Sequence, residues 1–268
     1  MAVRVGSQGT GRILRGRRGR RAGGHPVRVS AGAGTFAGMI PVRALRAATE
    51  PANPWLSWDY VTRNQDDLVR ALSQHTTLTF QAVAIALVLA LPLGALAHVR
   101  PRLAGPLVGT AGVLYTVPSV ALFAILAPWT GIGRTTVLIG LVTYALLVLL
   151  RNIVVGLAGV DPAVRDAARG LGYGRMRLLL TVELPNALPA IVAGVRLATV
   201  TTVALVTVGV VVGYGGLGQL MFRGFRSRYH AEIMTATLLC LALALVCDLV
   251  LYAAGRAIAP WSRAGRTA

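Results

Sequence analysis

Lysine is absent from this 268-residue chain, and all 27 of its basic side chains are arginine. A phosphate-binding G-x-x-x-x-G-K-[ST] loop cannot be written without Lys, so the chain is not itself an ATP-driven motor. Acids are scarce too, with nine Asp and Glu in all. Charged residues make up 13% of the chain and hydrophobic ones 55%, whereas a soluble globular domain is about 25% charged. That deficit excludes an ordinary soluble domain and points to the membrane class. Aromatics are few, at 6%, and Tyr115, Phe123 and Tyr144 are the main ones in mid-span. The two cysteines, Cys240 and Cys247, lie seven residues apart in one apolar run. On a helix they would be about 10 Å apart, too far to bridge, so they read as small buried hydrophobes.

The net charge of +18 is uneven, and residues 1–50 carry ten Arg against the single acid Glu50. Residues 1–34 are Arg/Gly-rich and too polar to offset their ordering entropy, so 1–50 is expected to be a disordered tail. A lipid-attracted arm is a second reading and a nucleic-acid arm a distant third. No 7–15-residue apolar core follows the basic run, so it does not read as a signal peptide. Residues 51–75 carry Trp55, Leu56, Trp58, Tyr60 and Val61, which suit an interfacial helix. Five apolar stretches from Thr76 onward reach the roughly 20 residues that a spanning helix needs. They are Thr76–Ala97, Gly105–Ala127, Thr135–Ala158, Ala187–Val212 and Ile233–Ile258. Alternating ten-residue strands are absent, so the fold class is an all-α integral membrane protein. The spanning domain covers 76–260, and 261–268 is a short cytoplasmic tail.

Orientation follows from the arginines of the short loops. Arg100, Arg102, Arg165, Arg169, Arg175, Arg177, Arg263 and Arg266 share one side; Arg134, Arg223, Arg226 and Arg228 share the other. The richer side should be cytoplasmic. The basic N-terminus then lies outside, against the same rule; a misassigned start, a tail that re-enters only as the interfacial helix, or a sixth span would remove the conflict.

The cytoplasmic segment 161–185, DPAVRDAARGLGYGRMRLLLTVELP, is the longest polar stretch between spans. Asp161 is a good helix N-cap and Pro162 a good first residue. A short helix Pro162–Arg169 is predicted, then a turn through Gly170, Gly172 and Gly174. A second helix, Met176–Val182, should bury Leu178–Leu180 and stop at Pro185. The physics alone suits a docking knob and an ordinary interfacial loop equally well.

The spacing decides between them. Asp166-Ala167-Ala168, three residues, Gly172, nine residues, Val182, one residue, Leu184-Pro185 resembles the EAA loop of ABC importer permeases. Asp stands there for Glu and Val for Ile. The resemblance implies a type I ABC importer transmembrane domain with a five-helix core. It implies docking of Asp166, Ala167, Ala168, Gly170, Gly172, Val182, Leu184 and Pro185 on a separate ATPase. Two ATPase copies, holding ATP and Mg²⁺ that this chain does not bind, would rock a pair of permeases, identical or paralogous. An extracytoplasmic substrate-binding protein would deliver the solute. VLYTVPSVALFAIL at 113–126, Leu150-Arg151-Asn152, VELPNALP at 182–189, GVRLAT at 194–199 and GYGGLG at 213–218 resemble the permeases of glycine betaine, choline and carnitine importers in the plasma (inner) membrane. The alternatives are a methionine-type amino-acid importer and, from another class, a stand-alone secondary transporter. The latter needs mid-membrane carboxylates and often a repeat, but Asp248 is the only deep acid and no repeat is visible.

GYGGLG fits a dinucleotide spacing but follows a membrane helix instead of a strand, so the nucleotide reading fails. It reads as a flexible outer loop that closes a gate. Arg223, Arg226 and Arg228 with Tyr229 suit either an acidic face of the binding protein or a solvated loop. Arg151, Arg196 and Asp248 are intramembrane charges, costly unless paired; Asp248 should pair with Arg196 or Arg151. Tyr115, Pro118, Ser119 and Asn152 are candidate pathway residues, because Pro118 must break its span. No catalytic residue, metal site or nucleic-acid partner is expected.

Overall fold

The computed structural model describes residues 53–259. The expected tails 1–50 and 261–268 lie outside the described residues. Ten α-helices are described: α1 Trp58–Arg63, α2 Gln65–Val99, α3 Pro101–Thr116, α4 Ser119–Thr130, α5 Arg134–Ala158, α6 Pro162–Gly170, α7 Arg175–Leu178, α8 Leu184–Val208, α9 Leu217–Ser227 and α10 His230–Ile258. Among the described residues α2, α5, the continuous helix Arg175–Val212 and α10 are long and apolar enough to cross a bilayer. The pair α3–α4 is apolar enough for a fifth crossing but bends by 98° at Val117–Pro118. The segment expected at the interface over 51–75 is divided between α1 and the first turns of α2, which runs through residue 75 without a break.

α2, α5 and α8 form the centre. Lipid tails are as apolar as leucine, so membrane helices associate through close packing, for which small residues are suited. α2 supplies them every fourth residue: Ala82, Ala86, Ala90 and Gly94 are all buried. Gly94 lies so close to Ile153 of α5 that a Cβ there would collide with it. α5 and α8 meet through Gly156 beside Ala187 and Ala190, and through Gly194 beside Asn152. Phe123 of α4, fully buried, fills the space left by Gly140.

Two contacts fix which ends share a side. His98, near the end of α2, meets Glu183 just before α8, so that end lies with the polar loop. His75, in its first third, meets the first residue of α9, Leu217, so that end lies opposite. There Asn53 accepts from the His230 N–H at the start of α10 (2.9 Å), and Trp55 stacks on the His230 ring at 4.2 Å.

Three local expectations need correction. Pro185 does not stop a helix: α7 continues through a π turn, Leu179–Glu183, directly into α8. A proline clashes with the carbonyl four residues back and cannot bond it. The wider π turn, in which the Leu184 N–H bonds Leu179 O, relieves that conflict. Leu180 is exposed, while Leu178 and Leu179 are buried. The outer segment after span four is not a flexible loop. Gly213 closes a helix end, Gly218 packs on the Thr207 backbone, and an 11-residue helix, α9, follows.

Candidate functional site

The polar loop is a built knob. Asp161 accepts from the Ala163 N–H (2.8 Å) and Pro162 starts α6, so the N-terminal cap is the one its residue types specify. At the other end the Tyr173 N–H bonds Ala168 O and the Gly172 N–H bonds Arg169 O. This double closure needs a left-handed residue at Gly172, whose φ is +81°. Gly172→Val should therefore cost about 1–2 kcal/mol. It should loosen the exit of α6, seen as faster proteolysis near residue 172 with no change elsewhere in the chain.

α6 has two faces. Ala168 is buried and Arg165 half-buried, whereas Asp166, Ala167, Arg169 and Gly170 are exposed. Asp166 pairs with Arg169 at 3.2 Å in solvent. Around them stand mostly uncovered apolar side chains, Leu171 at 77% and Met176 at 65% exposure. Val182, Leu184 and Pro185 are half-buried and belong to the helix behind the knob.

Behind α6 lies a cluster that sequence reading did not find. Glu183 is 4% exposed. Its two oxygens meet Arg165 Nε at 2.9 Å and His98 Nε2 at 3.0 Å. The Arg165 Nη2 also donates to Leu157 O (2.6 Å) and Ala158 O (3.3 Å) at the end of α5. The available signal was the scarcity of acids: in so acid-poor a chain, each one calls for a partner.

In mid-membrane the α3–α4 break borders a cleft of about 410 Å³ that includes Tyr115, Pro118, Ser119, Tyr144 and Thr201. Irregular backbone at membrane depth is tolerated where protein buries it or where it lines a cavity. The Tyr144 hydroxyl donates to Val117 O at the break. The Tyr115 and Tyr144 rings stand edge-on at 5.8 Å. Asn152 does not reach this cleft; its amide donates to Val148 O and its side chain packs at Gly194. Asp248 is joined to Arg196 by two bonds of 2.9 and 2.8 Å, with Tyr252 over the guanidinium, while Arg151 stands apart and exposed on α5.

On the opposite side Arg223 is not free. It meets Glu232 at 2.5 Å and Asp67 at 3.3 Å. Burial, and then Glu232, push the nearby Tyr60 hydroxyl up to about 12.

A helical bundle with one broken membrane span and an exposed helix–glycine knob between its third and fourth crossings is the transmembrane subunit of an ABC importer. The chain belongs to the family described as binding-protein-dependent transport system inner membrane component, which matches residues 73–264. It is a multi-pass inner-membrane permease that works with a separate ATPase and a substrate-binding protein, and is not an enzyme. It is 34% identical to the carnitine transport permease protein OpuCB of Listeria monocytogenes, over 72% of this chain and 88% of that one. It is 34% identical to the osmoprotectant import permease protein OsmW of Salmonella typhimurium, over 72% and 92%. Among solved structures it resembles the inward-facing MetNI methionine ABC transporter, with a TM-score of 0.67 and 26% identity over 71% of this chain and 95% of that one.

Proposed function

We propose that this permease imports a small quaternary-ammonium osmoprotectant of the glycine betaine, choline or carnitine type. The observation that carries the reading is the mid-membrane cleft. It offers the aromatic rings of Tyr115 and Tyr144 and the hydroxyls of Ser119 and Thr201, and among the described residues no charged side chain lines it. A quaternary ammonium has no proton to donate and is held well by aromatic faces. A cleft without a carboxylate holds it weakly, as passage requires, leaving tight capture to the binding protein. The names of the relatives at about a third identity support the same substrate class. Likeness to a methionine transporter supports the amino-acid alternative less, since its identity is lower.

Tyr115 is half exposed, so the cleft is open along one side of this chain. A second permease, identical or paralogous, would close it. Two ATPase subunits, binding ATP and Mg²⁺, would dock on the two α6 knobs. Asp166, Ala167 and Gly170 would form the contact, while Ala168 and Gly172 shape it from behind. The Arg196–Asp248 pair would serve as structural glue between α8 and α10.

The test is uptake by the full importer in proteoliposomes, with labelled glycine betaine, choline, carnitine and methionine. Betaine-type uptake that needs ATP and survives collapse of ion gradients is expected. Tyr115→Leu should lower it roughly tenfold at sub-saturating solute, the worth of one partly desolvated cation–π contact of about 1–2 kcal/mol. Uptake of methionine alone, or gradient-driven uptake by this chain alone, would overturn the reading.

A further inference from the structure

We propose that Arg165, Glu183 and His98 form a latch that transmits the movement of α6 to the membrane helices. The three side chains are positioning residues of the transport cycle; none touches solute or nucleotide. Gly159 precedes α6, Gly170 is its last residue, and Gly172 and Gly174 follow it. Segments so rich in glycine are poor levers, because their φ and ψ can absorb a displacement. A rigid connection must run through side chains. Arg165 supplies one from the inner face of α6, the face turned away from the exposed Asp166 and Ala167.

Its guanidinium reaches two helices at once. It holds Leu157 O and Ala158 O, carbonyls of the last turn of α5 that have no partner within their own helix. Its Nε also lies 2.9 Å from Glu183, the residue before α8, an ion pair held by charge and proximity without an aligned hydrogen bond. The other oxygen of Glu183 meets His98 in the last turn of α2. One junction thus ties α6 to the ends of α2, α5 and α8, the three helices of the central packing. The π turn is part of the device. Its one extra residue offsets the helix below it by about 100° relative to α8. Glu183, the last residue of that turn, is turned inward together with Leu179, the first.

Burial makes the junction directional. The Glu183 side chain is 6% exposed and its two partners 19% each. A buried ion pair is costly to separate, because each separated charge is left uncompensated. Moving α6 therefore carries the three helix ends with it more readily than it breaks the latch.

The experiment uses the full importer with its ATPase and binding protein, reconstituted in vesicles, and reads solute moved per ATP hydrolysed. Glu183→Gln and Arg165→Met should keep wild-type amounts of ATPase on the permease and hydrolyse ATP. Solute moved per ATP should fall by roughly 5- to 150-fold, the range of a typical coupling free energy. Arg165→Lys should recover part of the loss. A milder pair guards against misfolding: His98→Gln keeps a donor for Glu183 and should stay coupled, whereas His98→Leu should not. Transport and hydrolysis falling in proportion, or an unchanged ratio in all variants, would overturn the latch. The inference rests on α6 being the ATPase-docking element, and Ala167→Arg tests that separately. If that variant keeps its ATPase, the docking reading has failed and the latch with it. If it loses its ATPase while latch variants stay coupled, only the latch has failed.

Discussion

An Ala167→Arg permease should insert and fold like the wild type but purify without its ATPase. Ala167 lies on the exposed face of α6, away from the buried cluster behind it. Arginine is nearly as good a helix former as alanine, so α6 itself should lose only a few tenths of a kcal/mol. The long cation would stand where a small residue now lets a partner approach closely. A well-packed interface centre commonly loses about 2–4 kcal/mol on such disruption, which is roughly 30- to 1000-fold in docking. Transport should fall with it, since a chain without Lys cannot carry a phosphate-binding G-x-x-x-x-G-K-[ST] loop and depends on the separate ATPase. Ala168→Arg is the contrast. Ala168 is 6% exposed and packs inward, so its replacement should reduce folded protein as well as docking. The measurements are ATPase co-purification and detergent-solubilised yield, read together. A wild-type level of bound ATPase on Ala167→Arg would remove α6 from the docking surface.

Leu171 and Met176 extend that surface. Both are apolar and mostly exposed, beside Arg175 and Arg177. An exposed apolar patch rimmed by charge is the usual mark of a protein contact. The knob's outline was legible because its determinants are local: Asp161 and Pro162 start a helix, and Gly172 ends it with a positive φ. The apolar runs were legible for the same reason, each being a property of about twenty consecutive residues. Arg196 and Asp248 could be matched because both must lie at similar depth in their spans.

What escaped was non-local or depended on an exception to a local rule. Pro185 signals a stop only if the preceding turn is α-helical, and the π turn at Leu179–Glu183 removes that condition. α9 is amphipathic and short, and its ends are set by Gly216 and by Arg228 in a left-handed conformation. No apolar run announces it. Glu183, Arg165 and His98 come together from positions up to 85 residues apart. Each alone reads as a polar residue near the end of a span; only the folded chain shows that one buried carboxylate meets both Arg165 and His98.

His75→Leu should be among the most destabilising single substitutions in the described chain. His75 is fully buried in α2. The Leu217 N–H, at the start of α9, points at its Nδ1 from 3.3 Å. A nitrogen that accepts carries no proton, so the hydrogen sits on Nε2 and donates to Val203 O of α8 at 3.0 Å. One neutral ring thus caps α9 and ties it to both α2 and α8. Leucine fills the space but leaves a helix-start N–H without a partner and a carbonyl without its second donor. An unmet buried polar group costs about 1–3 kcal/mol, so the pair should cost roughly 2–5 kcal/mol. For a chain of this size that is a fall of about 5–15 °C in the melting temperature of the purified complex. His75→Gln, which can donate and accept, should recover part of it. Gly216→Val should fail similarly from the other side. The φ of Gly216 is +52°, and a Cβ there would stand 2.7 Å from that of His75. Unlike the latch variants, these should lower the amount of folded permease while leaving solute moved per ATP unchanged. An unaltered melting temperature for His75→Leu would show that the outer turn is held by other contacts.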